Sequence, residues 1–91
     1  MTYNLQITTQ FKKDCKLMKK RGKDLDELRT VIEMLQAGTP LPAKYYDHEL
    51  VGKLAKFREC HIQPDWLLIY LVLKNRLVLT LMRTGSHSDL F

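Results

Sequence analysis

The sequence predicts an α+β domain in which a strand, a two-helix hairpin and a three-stranded antiparallel meander follow one another, the helices packing on one face of a mainly antiparallel sheet. Three observations carry this. Residues 2–8 alternate apolar and polar with a period of two, residues 9–37 carry apolar positions at helical spacing, and residues 53–83 hold three strand-like runs split by short turn sequences. With 91 residues, 45% of them hydrophobic, the chain makes a single domain over 1–91 and has no room for a second core.

In the first strand Tyr3, Leu5 and Ile7 alternate with Asn4, Gln6 and Thr8, which suits a strand with one buried face. Thr8 or Thr9 then caps a helix whose Phe11, Cys15 and Met18, with Leu17 beside them, turn to the core before Gly22 ends it. Asp24 and Glu27 resemble a capping box for the second helix, whose Leu25, Leu28, Ile32 and Leu35 form one stripe up to Gly38. The short break at Gly22 makes the two helices antiparallel neighbours on a common sheet. Gly38-Thr39-Pro40-Leu41-Pro42 stops the second helix, because proline lacks the amide donor and restricts the residue before it, and a loop is expected to about residue 52. Lys53 to Ile62, Trp66 to Leu73 and Arg76 to Arg83 are the meander strands, joined by Gln63-Pro64-Asp65 and by the two-residue turn Lys74-Asn75. Thr84 to Phe91 is too short for an independent element and is expected to pack back on the sheet.

Fifteen Lys and Arg against ten Asp and Glu leave a formal charge of +5, which favours polyanionic partners through counterion release. Cys15 and Cys60 form no CxxC pair, and no signal peptide is apparent, so they read as reduced thiols of a cytoplasmic protein. Trp66 to Leu73 is the longest apolar stretch and falls far short of the roughly 20 residues a membrane helix needs.

The sheet face away from the helices is the place to look for chemistry, since a chain this small has few residues to cover it. His48, His61 and His87 all lie in the second half, where antiparallel pairing can bring them together. Imidazoles, with an unperturbed pKa near 6.5, can divide proton donation and acceptance, as metal-free RNA cleavage requires. They can equally be three unrelated histidines. No HxH, HxxxH or Cys-rich spacing points to a metal, and none is expected. Arg83 shares its parity with Leu77, Leu79 and Leu81, so it should emerge where the buried face meets the edge, either as a phosphate ligand or as a solvated strand end. Asp65 can orient a histidine or act as base, or be a turn residue only. Lys12, Lys13, Lys16, Lys19, Lys20, Arg21 and Lys23 make the first helix basic, as a solvated face or as a contact with the phosphates of a large RNA, and Lys53, Lys56 and Arg58 extend positive charge toward the site. Phe91 can stack on an unpaired base or anchor the tail, whereas Trp66 reads as core.

Taken together, Tyr46-Asp47-His48-Glu49-Leu50, Phe57-Arg58-Glu59-Cys60-His61-Ile62, Pro64-Asp65-Trp66-Leu67-Leu68-Ile69-Tyr70 and Arg83-Thr84-Gly85-Ser86-His87, with Leu90-Phe91, resemble the YafQ branch of the RelE superfamily of bacterial type II toxins. The resemblance covers nearly the whole chain in length and element order, its motifs lying between Asp47 and Phe91. It implies a RelE-like fold and a ribosome-dependent mRNA interferase that cuts translated mRNA in the A site without a metal or other cofactor. By the same resemblance the active positions are His48, His61, Asp65, Arg83, His87 and Phe91, with His87 foremost in proton transfer, Arg83 on the phosphorane charge and Phe91 on the base. It also implies partners: the 70S ribosome with its mRNA, and a cognate antitoxin whose C-terminal segment wraps the toxin and supplies any contact with operator DNA. Replacing His87 or Arg83 by alanine is expected to abolish activity and spare the fold. Two other readings compete, a non-catalytic basic module that only occupies RNA or the ribosome, and, resting on the number of histidines alone, a zinc-dependent hydrolase.

Overall fold

The elements in chain order are β1 (Asn4–Ile7), α1 (Thr9–Lys20), α2 (Leu25–Gln36), β2 (His48–Glu49), β3 (Arg58–Gln63), β4 (Trp66–Leu73), β5 (Val78–Gly85) and α3 (His87–Leu90), in a computed structural model that describes residues 2–91. The strands form one sheet in the order β1-β5-β4-β3-β2, antiparallel throughout except for the parallel pair β1–β5. The α+β architecture predicted above is therefore present, with a further short strand, β2, where a loop was expected.

Local chemistry explains the helices. Thr8 Oγ1 accepts the Phe11 N–H at 2.9 Å and donates to Met82 O at 2.9 Å, so one hydroxyl both caps α1 and ties it to β5. Gly22, at φ 83, follows the C-cap Arg21, and the N–H groups of Gly22 and Lys23 close on Lys19 O and Met18 O. Asp24 caps α2, but its carboxylate accepts from Asp26 N rather than pairing with Glu27. Glu27 instead accepts a hydrogen bond from Gln63 Nε2 at 2.7 Å, so the expected capping box gives way to a tether onto β3.

Phe11, Met18, Leu28, Val31 and Leu35 pack with Cys60, Ile62, Trp66, Leu68, Tyr70, Leu79 and Leu81 to form the core. Val31 is wholly buried although the predicted stripe passed it over, while Leu17 is exposed. The first strand differs more. Tyr3 enters the core, its N–H bonded to Gln36 O of α2, but Leu5 and Ile7 are 37% and 43% exposed, because β1 is a sheet edge that the helices do not cover.

Three boundaries move for backbone reasons. Gly52, at φ 70, opens a 3₁₀ turn over Gly52–Leu54, so β3 starts at Arg58 rather than Lys53. The β4–β5 connection is the four-residue loop Lys74 to Leu77, closed by the Leu73–Val78 pair, with Leu77 at φ 53, rather than a two-residue turn. The final strand runs on to Gly85, and the tail has an element of its own in α3, where Ser86 and Asp89 form a capping box.

The register of β5 shifts at Met82. Leu81 lies opposite Tyr70 while Arg83 lies opposite the preceding Ile69, so Met82 bulges out and every later residue changes face. Thr84, not Arg83, follows Leu81 into the core. Its buried hydroxyl accepts from Trp66 Nε1 at 2.9 Å and donates to Leu67 O at 2.6 Å. Replacing Thr84 by valine leaves the buried Trp66 Nε1–H without a partner and removes the side-chain bond to Leu67 O, and should lower stability by on the order of 2 kcal/mol. Equilibrium urea unfolding measures this, and a loss below about 0.5 kcal/mol would mean that the pair is not part of what holds β4 to β5.

Candidate active site

Glu59 and His61 alternate along β3 with Cys60 and Ile62, which belong to the helix-side core, so both point to the opposite face. Ile69 of β4 lies between Glu59 and Arg83 in one row of the sheet, and Leu67 lies between His61 and Gly85 in the next. β2 brings His48 opposite Glu59, and α3 brings His87 over the end of β5. The three imidazoles thus gather around His61, with ring centroids 6.2 Å to His48 and 5.7 Å to His87.

Hydrogen bonds fix how each ring presents itself. His87 Nδ1 donates to Asp65 Oδ1 at 2.6 Å, and the same oxygen accepts the His87 backbone N–H at 2.9 Å. Asp65 is thereby held below the usual carboxylate range, first by that N–H and then by the ring. Nε2 of His87 is left for a reacting group. His48 Nδ1 and His61 Nδ1 lie 2.7 and 3.2 Å from the carbonyls of Tyr46 and Pro64, and a carbonyl only accepts, so both rings carry hydrogen on Nδ1. Their Nε2 atoms face one oxygen, Glu59 Oε1, at 3.6 and 3.2 Å. Glu59 thus stands within ion-pair reach of both rings. Tyr46, in left-handed backbone at φ 49, places its exposed ring edge-on to His61 at 5.8 Å.

Glu59, with only 5% of its surface exposed, is the residue sequence reasoning missed, as it did Tyr46. A signal existed, because Glu59 and His61 are two apart and share one strand face. An open cleft of about 1050 Å³ runs from His61 and His48 past Tyr46 to Glu27 and Thr30 of α2.

Arg83 is reached by another route than parity. Beyond Leu81 the edge of β5 has no strand beside it, and Asp14 of α1 stands there, accepting the Thr84 N–H at 3.2 Å and Arg83 Nε and Nη2 at 2.9 and 3.1 Å. Burial works against the Asp14 charge, but the bonds from Arg83, Gln10 and Thr84 outweigh it and hold its carboxyl below the ordinary range. Arg83→Ala would leave this buried carboxylate with only its bonds from Gln10 and Thr84, so the substitution is expected to cost stability as well as activity.

The other cations divide. Lys12, Lys13, Lys16, Lys19 and Lys20 are exposed along α1, whereas Arg21 is paired with Asp89 at 2.6 Å and Lys23 Nζ donates to Gln63 Oε1 at 3.0 Å. Lys53 and Lys56 are exposed. Arg58 does not extend charge toward the histidines. Its guanidinium is bound to Asp47 at 3.2 Å and Glu49 at 3.4 Å, and Asp47 also accepts the Tyr70 hydroxyl. Phe91 is 61% exposed at the end of α3, and Trp66 is fully buried. Glu59, His61 and His87 each offer one ligand atom, and these atoms lie within 4.8 Å of one another, a donor set that suits a transition metal. No helix among the described residues is long and apolar enough to cross a membrane.

Known proteins share this fold. Residues 3–91 match the family described as bacterial toxin of type II toxin-antitoxin system, YafQ. The mRNA interferase toxin YafQ of Escherichia coli K12 is 40% identical over 89 residues, 97% of this chain and 95% of that protein. Among solved structures, the E. coli DinJ–YafQ toxin–antitoxin complex superposes with a TM-score of 0.91 at 38% identity, covering 100% of this chain and 99% of that one. A metal-bound toxin from Helicobacter pylori gives 0.91 at 45% identity over the whole of both chains. The chain belongs to the YafQ family of bacterial toxins of type II toxin–antitoxin systems.

Proposed function

We propose that this protein is an mRNA interferase, a ribosome-dependent endoribonuclease that cuts translated mRNA in the A site by acid–base chemistry and so arrests translation in the cytoplasm. The observation that carries the reading is the convergence of three imidazoles on an open sheet face, one held by Asp65 and two sharing Glu59. Its E. coli relative bears the name of that activity.

The 2'-hydroxyl attacks the adjacent phosphorus and gives up its proton to a base, while the departing 5'-oxygen takes a proton from an acid. A 2',3'-cyclic phosphate and a 5'-hydroxyl result. His87, with Nδ1 fixed by Asp65, exchanges a proton through Nε2, and the His61–Glu59–His48 group serves the other end of the bond. Arg83 keeps Nη1 clear of its bonds to Asp14 and turns that edge to the developing phosphorane charge. Phe91 stacks on a base near the cut. The exposed lysines of α1, with Lys53 and Lys56, meet ribosomal and messenger phosphates. A cognate antitoxin, as DinJ is for the E. coli relative, covers this face until it is removed.

Mapping mRNA 5' ends on translating ribosomes tests the reading. New ends inside reading frames should appear with the wild type, and His87→Ala should slow their formation by about 10²- to 10⁴-fold while keeping its thermal unfolding midpoint. Unchanged cutting by the folded variant would remove His87 from the chemistry, and an absence of cutting by a wild type that still binds ribosomes would favour the non-catalytic module.

One observation favours a second reading, in which an ion seated on Glu59, His61 and His87 does the chemistry, as the metal-bound H. pylori relative suggests. In the acid–base reading the same ion occupies the groups that must carry protons. Cleavage should therefore persist in chelator and fall as zinc or copper is added, and activity lost in chelator and restored by metal would reverse the choice.

A further inference from the structure

Accepting the nuclease reading, we propose that Arg21, at the end of α1, is a positioning residue for the active site. Through Asp89 it fixes the short C-terminal helix and thereby the His87 ring and Phe91 in cleaving geometry. The sequence had placed Arg21 among cations facing RNA, but its guanidinium is turned to its own chain.

The need for such a clamp arises from α3. It spans four residues, far below the roughly 12 to 15 at which an isolated helix becomes even marginal, and short terminal segments fray unless tied down. Its own capping box cannot fix where it lies on the body. Two side chains from distant elements do. Asp65, in the β3–β4 turn, grips the backbone and ring of His87. Arg21 grips Asp89 with two parallel bonds, Nη1 to Oδ2 at 2.6 Å and Nη2 to Oδ1 at 3.1 Å, while Asp89 Oδ2 also accepts the Ser86 N–H at 2.8 Å. One carboxylate thus joins the start of α3 to the end of α1, and Arg21, followed by Ser86, holds it well below the usual range.

Two further features show that the contact is built in. Arg21 is the C-cap of α1, its own N–H bonded to Leu17 O and that of the next residue, Gly22, to Lys19 O, so the guanidinium starts from a rigid point. Gly85 leaves the space for Asp89 to close, since a Cβ there would stand 2.9 Å from Asp89 Cβ and from Oδ2. The pair is partly exposed, so its removal should matter little for stability. Rate is more sensitive than stability to position, and a displacement of about 1 Å at a reacting group can cost about 10²-fold.

The test compares wild type, Arg21→Gln, Arg21→Lys, Asp89→Asn and the Arg21→Gln/Asp89→Asn double variant, with His87→Ala as reference. Cleavage of ribosome-bound mRNA is followed at saturating and limiting toxin over a salt series, together with the imidazole NMR signals of the free protein. Arg21→Gln should lower the saturating rate about 10- to 100-fold with little change in KM or salt dependence, and should shift and broaden the His87 resonances. Arg21→Lys should recover part of the rate, and Asp89→Asn should add nothing to Arg21→Gln. Loss confined to KM with a weaker salt dependence would make Arg21 an RNA contact and overturn the clamp. So would a wild-type rate in Arg21→Gln when His87→Ala is inactive. Should His87→Ala cut as well as the wild type, His87 leaves the chemistry and the clamp falls with it, whereas a wild type that cuts nothing on the ribosome would fell the nuclease reading itself; unchanged His87 resonances in Arg21→Gln would overturn the clamp by themselves.

Discussion

A single extra residue in β5 decides how the two faces of the sheet are used. Up to Leu81 the strand sends alternate side chains into the helix-packed core; the bulge at Met82 reverses the phase, so that Thr84 continues the core and Arg83 joins the row of Glu59 and Ile69. The same point is where β1 ends and the edge of β5 is left without a neighbouring strand. Asp14 takes the vacant position, satisfies the Thr84 N–H and holds Arg83. Fold and site are therefore joined through one short stretch. Before the bulge β5 serves the core alone, and after it the strand also delivers Arg83 and leads into α3 with His87.

This join also explains which features the sequence disclosed and which it withheld. Period and capping signals located α1, α2 and β4, because those depend on neighbours three or four positions away or on an uninterrupted apolar run. They failed where distant partners decide. β2 is only His48–Glu49 and exists because β3 lies beside it; the exposure of Leu5 and Ile7 depends on where the helices sit; a bulge has no local signature, so parity put Arg83 on the wrong face. At the site, the gathering of His48, His61 and His87 was legible as a possibility of antiparallel pairing, and the family resemblance selected those three with Asp65, Arg83 and Phe91. Asp14 and Asp89 were not singled out, because each is defined by a partner far along the chain, and Glu59 was passed over although His61 stands two positions away on the same strand face.

The carboxylates repay that lack of attention. The net charge of +5 suggests a protein organised by its cations, yet the order near the cluster comes from acids. Asp65 sets the tautomer of His87, Glu59 gives His48 and His61 a shared partner, Asp14 aims Arg83 and Asp89 anchors the tail. Buried or half-buried carboxylates are costly unless paired, and here pairing and placement are one act. The lysines that remain on α1 are free to respond to a polyanion without disturbing the residues beneath.

The parallel pairing of β1 with β5 has a consequence for how the molecule comes into being. It joins Asn4 to Val78 and Ile7 to Leu81, so nearly the whole chain is the loop that this contact closes. Loop-closure entropy must be met before the pairing rewards it, and topologies dominated by such contacts fold slowly and late. α1 leans on β5 and is tied to it by Thr8 and Asp14, through Met82 and Arg83, while Arg21 ties it to α3 through Asp89. A chain interrupted before β5 could form helices and a hairpin but could not seat α1 or assemble the histidines. In a member of a toxin family, such a topology puts the gathering of the three histidines after the closing of the sheet.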